Sequence, residues 1–293
     1  MNSHEISPLR YPGGKGGIAP FLGKLLQAQG HCDVYVEAFA GGAGAALRLL
    51  VDEYVDSIVL NDLDAGIAAF WRSVFSRTEE LAGMIESATV NVDEWHQQQS
   101  IYLSQGGEGD DLALGFATFF LNRTNRSGIL DARPIGGLRQ TGKWKIDARF
   151  NRKALGSRVR TLGRYRNRVA VCEEDGAELV TRYLDRRHFV YVDPPYLVRG
   201  ADLYLDTLSW DDHVRLARTL MGSRGCWMVT YDHDPRVAAL YPRHRRVEFV
   251  IAHTAAKPHV GRELAVFSNE INLCDLDGLG RDAQLVSQAG PVS

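Results

Sequence analysis

The sequence predicts a doubly wound α/β fold, and three observations carry that reading. Short apolar runs of strand character alternate with helix-patterned runs along most of the chain. The first such strand, "VYVEAF" (34–39), passes directly into a glycine turn and a small-residue helix. A later one, "VYVDPPY" (190–196), halts on an acid and two prolines. Ligands bind such sheets at the carboxyl ends of their strands, which is where both interruptions fall.

The elements follow in order. "SIVLND" (57–62) reads as the second strand, and "DAGIAAFWRSVF" as a helix with apolar residues at helical spacing. Residues 79–121 predict helix with one break at "SQGGEGDD" (104–111), and 122–151 an irregular or hairpin insertion rich in Gly, Arg and Asn. After a basic helix come "RVAVCEED" (168–175), "HFVYVDPPY" (188–196) and "CWMVTYD" (226–232) as strands three to five. Between the last two, Ser209 is placed to cap a helix with Asp212 three residues on. "RRVEFVIAH" and "ELAVFSNEI" alternate as a closing antiparallel pair, joined by a long loop, "HTAAKPHVGRE" (253–263). Residues 275–293 lack periodicity and are expected to fray.

At 293 residues and 45% hydrophobic, the chain suffices for one large domain or a core domain with an insertion. No run approaches 18 apolar residues and the N-terminal stretch has no apolar signal region, so a soluble, cytoplasmic protein without membrane partners is expected. Cys32, Cys172, Cys226 and Cys274 form no CxxC pair, which favours reduced thiols over disulfides or a zinc site. The net charge of −2 hides an asymmetry: residues 121–170 carry 14 Lys or Arg against two acids, Asp131 and Asp147. A basic segment on an acidic body suggests a surface for a polyanion, against the plainer reading of a solvated helix and loop.

Three motifs carry chemistry. In "EAFAGGAG" (37–44) the glycines admit a ligand close to the backbone at a helix N-terminus. Asp62, 21 residues beyond Gly41, ends the next strand, where an acid bridges ribose hydroxyls; the plainer reading is a helix cap. Glu37 repels phosphates and favours a ligand with an amino group or positive charge, such as S-adenosylmethionine, unless it merely pairs with Lys15. "RYPGGKGG" (10–17) offers the flat face of Tyr11 and a lysine, Lys15, suited to a carboxylate. It is not a Walker A loop, because Gly16 stands where that motif needs Ser or Thr.

The third motif is "DPPY". Pro194 and Pro195 cannot continue a ladder, and they fix the Asp193 carboxylate, the Pro194 carbonyl and the Tyr196 ring at a strand's end. An exocyclic amine on a nucleobase is a poor nucleophile because its lone pair is delocalised. Two acceptors, Asp193 and the Pro194 carbonyl, can hold both amine hydrogens and turn the lone pair toward a methyl donor. Tyr196 supplies a face for a base that has left the duplex. No metal is required, since a sulfonium is already an activated leaving group.

In this order, "RYPGGK", "VEAFAGGAG", "LNDLD", "CEED" and "VYVDPPY" resemble the Dam-type (D12-class) DNA adenine-N6 methyltransferases from about residue 8 to 273. The resemblance implies a class I, Rossmann-like S-adenosylmethionine-dependent sheet with an inserted, mostly helical target-recognition subdomain. It implies a catalytic domain over 1–75 and 167–274, an insertion over 76–166, and a flexible tail over 275–293. By position, Tyr11, Lys15 and Asp62 would contact S-adenosylmethionine, Phe39 and Gly41 would form the loop around it, and Asp175 would meet its adenine ring. Asp193 would sit beside both cofactor and target amine. "FLNRTNRSGIL" resembles the family's recognition hairpin through Asn122, Arg123, Asn125, Arg126 and Gly128, although the following "DARPIGGLRQTGKWKIDARFN" is longer than in GATC-reading members. Arg and Asn suit guanine and adenine edges, while Lys143, Lys145 and Arg152 suit phosphates, with Arg139 in the same basic run. The 253–263 loop would touch DNA or close the site.

The expected reaction is methyl transfer to adenine N6 in duplex DNA by base flipping, by a monomer or weak dimer, with a restriction or defence-system partner compatible with it. A cytosine-C5 enzyme is excluded, since no cysteine lies beside a proline. An N4-cytosine enzyme more often carries Ser in place of Asp193, and a protein-glutamine enzyme Asn. An RNA adenine-N6 methyltransferase and a DNA-binding subunit with a retained methyltransferase fold are the alternatives. The joint presence of Lys15, Asp62, Asp193 and Tyr196 argues against the second.

Overall fold

The computed structural model describes residues 6–11, 13–105, 110–195, 208–253, 259–273 and 275–286. Within them, one eight-stranded sheet contains β1 (Val34–Glu37), β2 (Ser57–Asn61), β3 (Val169–Cys172), β4 (His188–Val192), β5 (Cys226–Asp232), β6 (Arg245–His253), β7 (His259–Phe267) and β8 (Arg281–Val286). The order is β3-β2-β1-β4-β5-β7-β6-β8. The first five run parallel, and β7 enters antiparallel between β5 and β6. The winding reverses between the neighbours β1 and β4, so the loops that follow them flank one crevice.

Successive side chains of the central strands serve opposite faces. Tyr35, Ile58, Phe189 and Tyr191 pack on one side, and Val36, Val59, Val190 and Val192 on the other. This is why β1 and β4 read as continuous apolar runs rather than as alternation. The first face is covered by α1 (Ala19–Gln29), α2 (Gly44–Val51) and α3 (Ala65–Ser76), the second by α8 (Gly176–Tyr183) and α9 (Trp210–Met221). The short α10 (Pro235–Leu240) follows β5.

Four further helices, α4 (Thr78–Ser87), α5 (Val92–Leu103), α6 (Asp111–Thr124) and α7 (Arg152–Gly163), continue the first apolar cluster outward from α3. The helical stretch expected over 79–121 has a second break, at 88–91, where Asn91 caps α5 by accepting the Glu94 N–H. Asp64, Asp110, Asn151 and Asp175 cap their helices likewise, and Ser209 with Asp212 forms the expected capping box.

Two expectations fail at the sheet's antiparallel edge. Residues 281–286 do not fray: as β8 they pair with β6, Val247 opposite Leu285. The stretch is mostly exposed and held by backbone pairing, so it has no apolar period to read. The long 253–263 loop is also shorter than expected, because the ladder of β6 and β7 reaches the pair His253 and His259. Residues 254–258 lie outside those described.

Candidate active site

At the end of β4 the two prolines stop the strand, and Asp193 emerges into the crevice with its side chain 19% exposed. Lys15, whose side chain is only 3% exposed, sets its Nζ 2.9 Å from both Asp193 oxygens. The same Nζ lies 3.5 Å from Oε1 of the fully buried Glu263 on β7 and donates to the Gly13 carbonyl at 3.3 Å. One buried ammonium thus joins the N-terminal segment, the end of β4 and β7. A buried charge is tolerated only when paired in this way.

Behind Asp193 lies a directional chain. The Thr230 hydroxyl donates to Asp193 Oδ1 at 2.7 Å, and Tyr191 Oη is 2.8 Å from Thr230 Oγ1. Because the threonine proton is used on the carboxylate, the tyrosine hydroxyl is the donor to Thr230. Burial pushes the Tyr191 phenol well above its ordinary range, which keeps that proton in place.

The glycine loop after β1 is held at one peptide from both sides. The Gly41 N–H donates to Asp62 Oδ2 at 2.7 Å, and the buried Trp71 indole on α3 donates to the Gly41 carbonyl at 2.9 Å. Gly41 has φ +44°, and a Cβ there would lie 2.6 Å from the Tyr11 ring; one on Gly42 would lie 2.8 Å from Tyr11 Cβ. Tyr11 therefore lies across a loop that only glycine allows. Asp62 does not cap α3; Asp64 does, accepting the Ile67 N–H at 2.9 Å. Phe39 packs against Gly176, one residue beyond Asp175.

Glu37 is 4% exposed and does not pair with Lys15 by a direct contact; its Oε1 accepts the Ala46 N–H at 2.9 Å and the Tyr35 hydroxyl at 3.3 Å. The N-cap residue of α2, Ala43, has no side-chain acceptor, so β1 supplies the cap that the helix sequence lacks. Burial pushes the Glu37 carboxyl up to about 8, against those two hydrogen bonds. Asp175 caps α8 and receives both Arg215 guanidinium nitrogens, at 3.1 and 2.8 Å. Burial alone would lift its carboxyl, but Arg215 and the helix N–H groups outweigh it and hold it below the ordinary range.

The sequence reading missed Glu263, Thr230, Trp71 and Arg215. Only Glu263 left a signal, an acid at an inward register of the apolar "ELAVF". Tyr196 lies outside the described residues, while Pro194 is buried and Pro195 half-buried.

Two of the residues expected to contact DNA are corrected by their surroundings. Asn122 is fully buried: its Oδ1 accepts the Arg10 N–H at 2.7 Å, and its amide donates to the Arg10 and Gly128 carbonyls at 2.8 Å each. Asn125, also fully buried, accepts the Trp95 indole N–H at 2.6 Å and donates to the carbonyls of Ile129 and Leu130. Both amides are spent on the fold, with no donor left for a base. Gly128, at φ +80°, admits the Arg10 carbonyl 2.2 Å from where a Cβ would sit. Asn122 thereby ties down the irregular segment that carries Tyr11 and leads to Lys15.

The basic segment beyond them is irregular, with one isolated bridge between Asn125 and Pro134 among the described residues. Gln140 is its hub, donating to the Ile135 and Gly137 carbonyls and accepting the Ile146 N–H. This holds Arg126, Arg139 and Lys143 on an exposed surface beside Trp144, 65% exposed, and Leu138, 45% exposed. The Lys143 ammonium stands 5.7 Å from the Trp144 ring centre. Arg123 donates to the Arg149 carbonyl, Lys145 to those of Gln140 and Gly142, and Arg152 to that of Ala88. Among the described residues no helix is long and apolar enough to cross a membrane.

The sheet order, with the pinned glycine loop after β1 and the proline-stopped acid after β4, is that of a class I methyltransferase fold. A family model described as D12 class N6 adenine-specific DNA methyltransferase matches residues 11–241. The chain belongs to that family: it is an adenine-specific DNA methyltransferase, and membership implies DNA as substrate and S-adenosylmethionine as methyl donor. It is also similar to the type II methyltransferase M.MjaIII of Methanocaldococcus jannaschii, with 25% identity over 234 residues, 73% of this chain and 79% of that protein. Among solved structures it matches the rRNA methyltransferase AviRa of Streptomyces viridochromogenes at 14% identity, over 91% of this chain and 92% of that one. The TM-score of that match is 0.36.

Proposed function

We propose that the enzyme flips an adenine out of duplex DNA in the cytoplasm and methylates its N6, with 76–166 as the DNA-recognition part. The observation that carries this reading is the Asp193 carboxylate, aimed into the crevice and clamped by Lys15 and Thr230.

The donor set suits S-adenosylmethionine. Carboxylates at Asp62 and Asp175 favour a group with amino and hydroxyl functions over a phosphate, and Tyr11 and Phe39 offer faces for a purine; Glu37, buried and spent on the cap of α2, does not meet the ligand as the sequence led one to expect. A loop in which any Cβ on Gly41 or Gly42 would strike Tyr11 leaves room for nothing but backbone there. When bound, the cofactor supplies a methyl group activated on a sulfonium.

The protein's own residues prepare the amine. Asp193 and the Pro194 carbonyl accept its two hydrogens, which favours a pyramidal nitrogen with its lone pair turned out of the ring. Lys15 and Thr230 fix the carboxylate so that no reorganisation is needed as charge develops. The proton that the nitrogen must shed leaves after the new N–C bond forms, so Asp193 need not act first as a base. Tyr196 is assigned the stacking face for the flipped base. Arg126, Arg139 and Lys143, with Trp144 beside them, are assigned the DNA surface, and a restriction-modification setting is taken from the type II relative.

Transfer of labelled methyl from S-adenosylmethionine to mixed-sequence duplex DNA and to RNA, with Asp193→Ala as control, tests the reading. Label recovered as N6-methyladenine in DNA and lost in the variant supports it. Label in RNA alone would move the substrate, and undiminished label with Asp193→Ala would overturn the site.

A further inference from the structure

At the opposite end of the sheet, three side chains with no part in this chemistry converge. Cys32 lies in the short loop before β1, Cys226 opens β5, and His31 precedes Cys32. Both cysteines are buried and the histidine is exposed. Cys32 Sγ, Cys226 Sγ and a ring nitrogen of His31 all lie within 4.8 Å of one another, with His31 Nε2 3.8 Å from Cys226 Sγ. Cys226 is in register with Phe189, four residues before Asp193, so about 13 Å of strand separates the cluster from the active site.

The histidine is already oriented. Its Nδ1 lies against the Gln29 carbonyl, which can only accept, so Nδ1 carries the proton and Nε2 presents a lone pair to the two sulfurs. A backbone carbonyl that fixes the tautomer in this way is the usual support of a metal-binding histidine. In a tetrahedral site with metal–sulfur bonds of about 2.3 Å and metal–nitrogen bonds of about 2.0 Å, ligand atoms sit roughly 3.5–3.8 Å apart. The pair His31 Nε2 and Cys226 Sγ has that spacing already, and the cluster closes with a shift of about 1 Å at most.

We propose that His31, Cys32 and Cys226 form a binding site for a thiophilic divalent cation of the zinc type. Two thiolates and an imidazole select such an ion over calcium or magnesium, which prefer oxygen. The exposed His31 edge gives the ion its entry and leaves a fourth position open to water. The ion would staple the loop before β1 to the start of β5 across the first residues of β4. Sequence spacing conceals the site, because its halves lie 195 residues apart with no CxxC between them.

The test is titration of the reduced full-length protein with zinc, and separately with cobalt, followed by absorption and by thermal melting. One equivalent of zinc per chain, a higher melting temperature that chelator reverses, and a thiolate-to-cobalt charge-transfer band are expected. Because His31 is exposed, His31→Ala should fold normally and bind at least tenfold more weakly. Cys32→Ser combined with Cys226→Ser should lose the cobalt band, and Cys172→Ser should keep it. Absence of a stoichiometric ion, binding that survives the double substitution, or a Cys32–Cys226 disulfide as the stable state of the isolated protein would overturn the proposal. None of these readouts depends on methyl transfer.

Discussion

Lys15 and Asp193, 178 residues apart, are joined at 2.9 Å through both carboxylate oxygens. The contact makes the N-terminal glycine segment a structural part of the end of β4. Replacing Lys15 by Met should leave Asp193 and the buried Glu263 without their cation, at a cost of about 3–5 kcal/mol in stability. A melt of the variant should show a marked loss, and methyl transfer should fall by more than about a hundredfold. A variant with wild-type stability and turnover would remove Lys15 from the site.

In the proposed reaction Thr230 would act through Asp193, to which its hydroxyl donates. Thr230→Val keeps the shape and deletes the donor at 2.7 Å, leaving Tyr191 without its acceptor. The expected result is a kcat lower by roughly 10–100-fold with little change in the KM for DNA, and recovery in Thr230→Ser. A change confined to KM would contradict a positioning role.

Asn122 and Arg126 should separate by readout although they stand four residues apart. Asn122→Ala breaks three hydrogen bonds around Arg10 and should lower stability by about 1–3 kcal/mol, weakening cofactor binding through Tyr11. Arg126→Ala, Arg139→Ala and Lys143→Ala should each leave stability within about 0.5 kcal/mol. Each should weaken DNA binding and lower its salt slope by about one if the residue meets a phosphate. Equal effects from Asn122→Ala and Arg126→Ala on salt slope would restore the asparagine to the DNA surface.

Glu37 makes stability depend on pH. Its carboxyl is raised from the model-peptide value of 4.5 to about 8 by burial, so between those values the folded chain holds a proton that the unfolded chain has released. Stability from this group is therefore fully present below about pH 4.5 and is lost as pH rises toward 8. Glu37→Gln keeps an acceptor for the Ala46 N–H and cannot ionise. Its melting temperature should match wild type near pH 5 and exceed it near pH 8; an advantage that shrinks toward high pH would reverse the assignment.

How much of this was legible in the chain varies with the range of the interaction. Parallel strands buried on both faces announce themselves as apolar runs, so β1 to β5 were readable, as was the Ser209–Asp212 cap, which needs only four residues in sequence. The same locality explains the failures. β8 is polar and held by its neighbour's backbone, and Asn122 and Asn125 look like base readers until Arg10 and Trp95 are seen against them.

By itself, the sequence determined the five parallel strands, the glycine loop and the proline-stopped acid, because backbone preferences and burial patterns act over a few residues. Tertiary structure alone decided that Lys15 serves Asp193 rather than Glu37, and that Glu37 caps a helix. It also decided that His31, Cys32 and Cys226 meet at all. Charges and thiols choose partners by distance in space, and in a sheet with reversed winding the neighbours lie a hundred or more residues away along the chain.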